Sequence, residues 1–211
     1  MIAPEGKIIL IPLFLLVLVG IGVYMVSPSI SLQWINLILA ISTFFSLYFF
    51  RDPQRIPPNF NGFLSPADGK IVQIIDVQDD EIGNAIMISI FLSIFNVHSQ
   101  RVPLSGKVIS KRYIPGKFLM AFNHKASMDN EQTLVTFVAD NGKKYKIKQI
   151  AGLIARRILN YMEPENMVQR GDRLGFIRFG SRVDIILPAD FQIDVIEGDV
   201  VKGNKTIIGR F

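Results

Sequence analysis

The chain has 211 residues, 49% apolar and 19% charged, with a mean hydropathy of +0.34 and a net charge of +5. That composition excludes a disordered polymer, and the length excludes a large multidomain enzyme. Without cysteine there is no disulfide, thiolate metal site or cysteine nucleophile; with only His98 and His124, no three-histidine zinc site can form, and no metal is expected.

The chain opens as membrane sequence: from Ile8 to Phe50 there is no Asp, Glu, Lys or Arg. The stretch Ser27-Pro28-Ser29-Ile30-Ser31 divides this run into Ile8–Val26 and Leu32–Phe50. Each half is about 28 Å long as a helix, enough to cross a bilayer. A transmembrane helical hairpin over residues 1–50 is therefore expected, with a single span plus an interfacial helix as the alternative. A cleaved signal peptide fits less well, because a second apolar run follows at once. Two spans return the chain to its starting side, and Lys7, Arg51 and Arg55 place that side on the cytoplasmic face of the cell membrane. Prolines 53, 57 and 58 end the second helix and mark a linker over 51–59. The net positive charge falls on residues 51–211, which predicts attraction to anionic membrane lipids. No nucleic-acid-binding signature is present, and no nucleic acid is expected as a partner.

Residues 60–211 read as a compact, mainly β (α+β) domain, antiparallel and β-sandwich-like. Its short β-branched runs are Gly69–Val77, Ala85–Phe91, Gly106–Tyr113, Thr133–Ala139, Tyr145–Ile150, Gly175–Phe179 and Val183–Leu187. Asn141-Gly142 suits a tight hairpin turn. Lys144, Lys146 and Lys148 alternate with apolar residues, so they form a stripe facing solvent or, alternatively, phospholipid phosphates. A helical stretch is expected over Ile154–Met162, ended by Pro164. Pro66-Ala67-Asp68-Gly69-Lys70-Ile71-Val72 is echoed by Pro103-Leu104-Ser105-Gly106-Lys107-Val108-Ile109. The echo reads either as convergent turn chemistry or as two pseudo-repeated halves, with Ser105 standing where the first copy has Asp68.

Taken singly, the candidate catalytic residues are unremarkable: Gly180-Ser181 reads as a bend, Asp68 as a turn residue, and His98 and His124 as structural imidazoles. In combination they change meaning. The motifs are Phe49-Phe50-Arg51-Asp52-Pro53, Pro66-Ala67-Asp68-Gly69, Phe95-Asn96-Val97-His98, His124-Lys125-Ala126-Ser127, Gly152-Leu153-Ile154-Ala155-Arg156-Arg157-Ile158, and Gly171-Asp172-Arg173-Leu174-Gly175 running into Phe179-Gly180-Ser181. In this order, over nearly the whole chain, the sequence resembles the phosphatidylserine decarboxylase proenzymes, in their short prokaryotic membrane-associated branch. It departs from many longer members in having Phe-Gly-Ser-Arg rather than Leu-Gly-Ser-Thr.

The resemblance implies a zymogen that cuts itself between Gly180 and Ser181. The products would be a large chain, 1–180, and a small chain, 181–211, that stay associated, with Ser181 converted into a covalent pyruvoyl group, the sole cofactor. It further implies that His98, oriented by Asp68, acts as general base, and that the lyase forms a Schiff base with phosphatidylserine and releases CO2 and phosphatidylethanolamine in phospholipid biosynthesis. His124, Lys125, Arg156 and Arg157 are candidates for headgroup binding. The same residues leave two other readings open, decarboxylation of an archaeal ether-linked serine lipid or a membrane-tethered serine hydrolase. The second lacks a Gly-x-Ser-x-Gly nucleophile elbow.

Overall fold

The computed structural model describes residues 1–59, 62–117, 129–152, 157–178 and 181–211. The uncharged N-terminal run forms two helices, α1 (Lys7–Val26) and α2 (Ile30–Phe49), both long and apolar enough to cross a bilayer. They break where Ser29 leaves helical geometry and its side chain accepts the Leu32 N–H at 3.3 Å, an N-cap for α2. The helices approach closely at Gly20, whose carbonyl accepts from Asn36 Nδ2 at 3.1 Å. A Cβ at Gly20 would lie only 2.1 Å from the Asn36 side-chain oxygen, so the absent side chain permits the contact. The chain divides into two compact units, Met1–Gln54 and Arg55–Phe211.

The second unit is mainly β, and its described strands all pair antiparallel. In chain order the strands are β1 (Phe63–Leu64), β2 (Gly69–Asp79), β3 (Gly83–Leu92), β4 (Ser99–Arg101), β5 (Gly106–Ile114), β6 (Gln132–Ala139), β7 (Lys144–Ile150), β8 (Ile158–Asn160), β9 (Met167–Val168), β10 (Arg173–Ile177), β11 (Ser181–Pro188), β12 (Gln192–Ile193), β13 (Val200–Val201) and β14 (Ile207–Arg210). An eight-stranded sheet runs β13-β2-β3-β11-β7-β6-β5-β9, and two three-stranded sheets run β1-β14-β12 and β4-β10-β8. One face of the large sheet buries Ile71, Ile88, Ile90, Val135, Phe137, Tyr145, Ile147, Val183 and Ile185 against Phe63, Leu174, Ile177 and Ile208 of the small sheets. This layered, sandwich-like packing follows from the period-two alternation, and each fully buried Ile or Phe contributes about 1.5–3 kcal/mol.

The echo of the two Gly-Lys turns extends through the whole domain. Gly69 and Gly106 each begin a strand whose partner backbone comes so close that a Cβ would lie 2.2 Å from a carbonyl oxygen, of Phe91 and Val138 respectively. Each strand then shifts register at the same place, between Ile71 and Gln73 or between Val108 and Ser110. Ile71 exchanges hydrogen bonds with Gly198 and Asp199 as Val108 does with Glu165 and Asn166, at 2.8–3.0 Å. Glu165 and Gly198 both have positive φ, as do Gly171 and Asn204. Two halves of seven strands each are thus related, β1-β2-β3-β11-β12-β13-β14 and β4 through β10. The second half is inserted between β3 and β11 of the first. Pseudo-repeated halves, rather than a coincidence of turns, account for the echo.

Two expectations are corrected. The lysines of β7 do not form a solvent stripe: Lys144 is exposed, but Lys146 is buried with its Nζ 2.8 Å from Asp79 and 3.2 Å from Glu81, and Lys148 is half-buried opposite Asp184. β7 is an inner strand between β11 and β6, and acidic partners distant in sequence close over it. The expected helix over Ile154–Met162 is partly outside the described residues, and its remainder contains β8, paired to β10 through Ile158↔Ile177.

Candidate active site

The inserted half joins the first half by two crossings, and their described ends lie close together. The outgoing crossing, residues 93–98, leaves β3 at Leu92; the returning one leaves β10 at Ile177 and enters β11 at Ser181. Ser181 pairs with Leu92, while the Ile177 N–H donates to the His98 carbonyl at 3.4 Å. The topology therefore brings the segment carrying His98 and the segment ending at Ser181 to one corner. Gly180 lies outside the described residues.

Local chemistry explains the outgoing crossing. Asn96 Oδ1 accepts from the Ser93 N–H at 2.9 Å and the Ser93 hydroxyl at 2.8 Å, and the Asn96 N–H donates to the Ser93 carbonyl, which closes a tight turn. The Asn96 carbonyl lies 2.9 Å from His98 Nδ1. A carbonyl can only accept, so it places the neutral ring's proton on Nδ1 and leaves Nε2 as the basic nitrogen. His98 is fully buried, as is Ser181. Ser181 Oγ has no hydrogen-bond partner among the described residues. A buried hydroxyl without a partner sacrifices about 1–3 kcal/mol, which a structural serine avoids and a reacting one tolerates.

Asp68 is placed differently from the sequence-based expectation. Its carboxylate is held by the Arg55 guanidinium, with Nη2 to Oδ2 at 2.8 Å, and accepts the Gly203 N–H at 2.8 Å. Its hydrogen bonds thus go to these groups, whereas His98 is oriented through Nδ1 by Asn96. The corresponding Ser105 does half of the same work, its hydroxyl accepting the Arg170 N–H at 3.0 Å. The Asp68 turn nevertheless borders the histidine strand, since the Arg101 N–H of β4 donates to the Pro66 carbonyl at 2.8 Å.

Of the headgroup candidates, His124, Lys125 and Arg156 lie outside the described residues. Arg157 is exposed, and its carbonyl accepts the Arg178 N–H at 3.3 Å. Sequence reasoning missed Arg55, which reads as a membrane-flanking charge, and nothing local signals its long-range partner. It also missed a buried amide chain: Asn160 donates to Gln149 at 2.7 Å, Gln149 to Gln100 at 2.9 Å, and Gln100 to the His98 carbonyl at 2.8 Å. The polar face of β11 was legible in principle, because Arg182 and Asp184 stand two apart in an otherwise apolar strand and so share a side.

The sequence pattern of the phosphatidylserine decarboxylase family matches residues 42–209, a span that includes the whole corner. The chain is 43% identical, over the full length of both chains, to a phosphatidylserine decarboxylase proenzyme of Chlorobium chlorochromatii. It is 44% identical to one of Desulfotalea psychrophila over 88% of each chain, and 46% identical to one of Cupriavidus metallidurans over 89% of each. The chain belongs to the phosphatidylserine decarboxylase family. Within that class it is an enzyme, a decarboxylase made as a proenzyme.

Proposed function

We propose that this protein converts phosphatidylserine into phosphatidylethanolamine and CO2, as a step of phospholipid biosynthesis, after cutting itself between Gly180 and Ser181. The observation that carries this reading is the buried Ser181 hydroxyl, without a hydrogen-bond partner among the described residues, at the corner that also holds His98. His98 Nε2 takes the hydroxyl proton, and Oγ attacks the Gly180 carbonyl, moving the acyl group from nitrogen to oxygen. Glycine leaves that carbonyl open to approach. Elimination of the ester releases the Gly180 carboxylate and leaves a dehydroalanine at position 181; water then adds and ammonia departs, giving a pyruvoyl terminus. That group fits the residues present, since it needs only Ser181 itself and a buried corner.

Once formed, the pyruvoyl ketone supplies a group reactive toward the serine headgroup amine and a sink for the electrons left by departing CO2. The chain's own residues do the rest. His98 is the proton donor to the product carbon, and Arg157, with His124, Lys125 and Arg156, contacts the headgroup phosphate. Asp68 shapes the corner through Arg55 and Gly203. Residues 1–50 serve as a transmembrane hairpin, 51–59 as its linker and 60–211 as the catalytic domain on the cytoplasmic face, where the basic surface favours anionic lipid. The small chain 181–211 remains bound because it supplies β11 through β14.

The test uses carboxyl-labelled phosphatidylserine in detergent and mass spectrometry of the denatured protein. The expected result is two chains, the smaller blocked at its terminus, and labelled CO2; Ser181→Ala should remain one chain and release none. A wild-type chain that stays full-length while turning over lipid would overturn the reading.

A further inference from the structure

When the bond before residue 181 breaks, that residue becomes a chain end, and ends of strands fray unless they are tied down. Among the described residues Ser181 has a strand neighbour on one side only, Leu92. From the next residue the strand is flanked on both sides, with Arg182 opposite Phe91 of β3 and Ile150 of β7. Residue 182 is therefore the first fully paired rung behind the reacting group.

Its side chain is tied as firmly as its backbone. The Arg182 guanidinium is fully buried; Nε donates to Asp184 Oδ1 at 2.6 Å, and Nη2 donates to Ser89 Oγ at 2.5 Å and Gln73 Oε1 at 2.8 Å. One planar fork thus ties β11 to β3 and to β2 beyond it. Burying an ion pair gains little over well-packed apolar side chains, so stability by itself is a poor reason for this fork. The related half supplies an internal control. By register, Arg182 opposite Phe91 corresponds to Lys144 opposite Val138, and Asp184 to Lys146. Lys144 is exposed. Among the described residues, the related half has no buried guanidinium fork at the corresponding place.

We propose that Arg182 is a positioning residue for the reacting terminus. Its fork fixes the first rung of β11, so that residue 181 keeps its place through cleavage and afterwards when its hold on residue 180 is gone. The inference rests on the self-cleavage reading above. Misplacing a reacting group by about 1 Å can lower a rate by about a hundredfold without weakening substrate binding.

The experiment compares Arg182→Met, Arg182→Lys, Ser89→Ala and Gln73→Met with wild type as full-length protein in detergent. Cleavage is followed by mass spectrometry, and kcat and KM are expressed per cleaved chain. Arg182→Met is expected to cleave at least about tenfold more slowly and, once cleaved, to lose about ten- to a hundredfold in kcat with KM within about twofold. Arg182→Lys keeps the charge but not the fork and should recover part of the loss. Ser89→Ala and Gln73→Met each remove one acceptor and should lower kcat about threefold, with a lowered unfolding midpoint that still lies above the assay temperature; they decide the matter if Arg182→Met does not fold. Wild-type kcat in the cleaved fractions of these variants would overturn the proposal. A wild-type chain that never cleaves would instead overturn the functional reading beneath it.

Discussion

Asp68 shows how one residue can carry two kinds of duty. As an acceptor for the Gly203 N–H it does what Ser105 does for Arg170, and this part is architectural. What Ser105 lacks is the charge and the grip on Arg55. Asp68→Ser separates the two: the hydroxyl can still close the turn, so the stability loss should stay at about 1–2 kcal/mol in urea unfolding. Cleavage between Gly180 and Ser181 should nevertheless slow at least about tenfold, read by mass spectrometry over time. Unimpaired cleavage would reduce Asp68 to a turn residue. The candidate site was legible in sequence as a set of residue types, Asp68, His98 and Ser181, but not as contacts. The hydrogen bond that orients His98 comes from a backbone carbonyl, and side-chain identity carries no information about that.

At the scale of strands, the β-branched runs located β2, β3, β5, β6, β7 and β11 well, because alternation and turn residues act locally. The stretch containing β8 was misread, since a short apolar run satisfies helix and strand alike until a partner such as β10 selects one. The lysines of β7 were misread for a related reason: alternation tells which residues share a face, not whether another layer covers it. Burial there has consequences for pH. Desolvation pushes the Lys148 amine below its ordinary value, partly offset by Asp184, so the unfolded chain binds the proton more tightly. Stability should therefore rise with pH towards the ordinary lysine value of about 10.4, and Lys148→Met should flatten that rise in thermal melts.

Asp79, on the same face, behaves in the opposite sense. Burial raises its carboxyl, but the Lys146 hydrogen bond, the Glu81 and Ile82 N–H groups and the Lys146 charge outweigh it and hold it below the usual range. Its contribution is present above about pH 4 and lost as the pH falls through the lowered value. Asp79→Asn should remove that acid-side loss, as measured by unfolding midpoints between about pH 2 and pH 5.

For the whole β-domain, the decisive fact is that residues 181–211 are not a tail. They supply β11 at the centre of the large sheet, β13 at its edge, and β14 and β12, which complete the small sheet that β1 begins. If the chain is cut as proposed, its two fragments should therefore co-purify through any non-denaturing step and separate only in denaturant. After denaturant is removed, the separated chains should regain activity poorly, as followed by CO2 release, because a middle strand must find both neighbours without a covalent guide.

The nesting of one half inside the other has a mechanical corollary. Two threads tie the inner half to the outer one, and their described ends meet where Ser181 pairs with Leu92 and the Ile177 N–H donates to the His98 carbonyl. Severing the chain at 180–181, as proposed above, would leave the 93–98 thread intact, so the body would keep its integrity, with the new terminus at residue 181 still held by the rung behind it. If the chain is cut as proposed, the opening it gains is confined to that corner, and the surviving 93–98 thread preserves the frame.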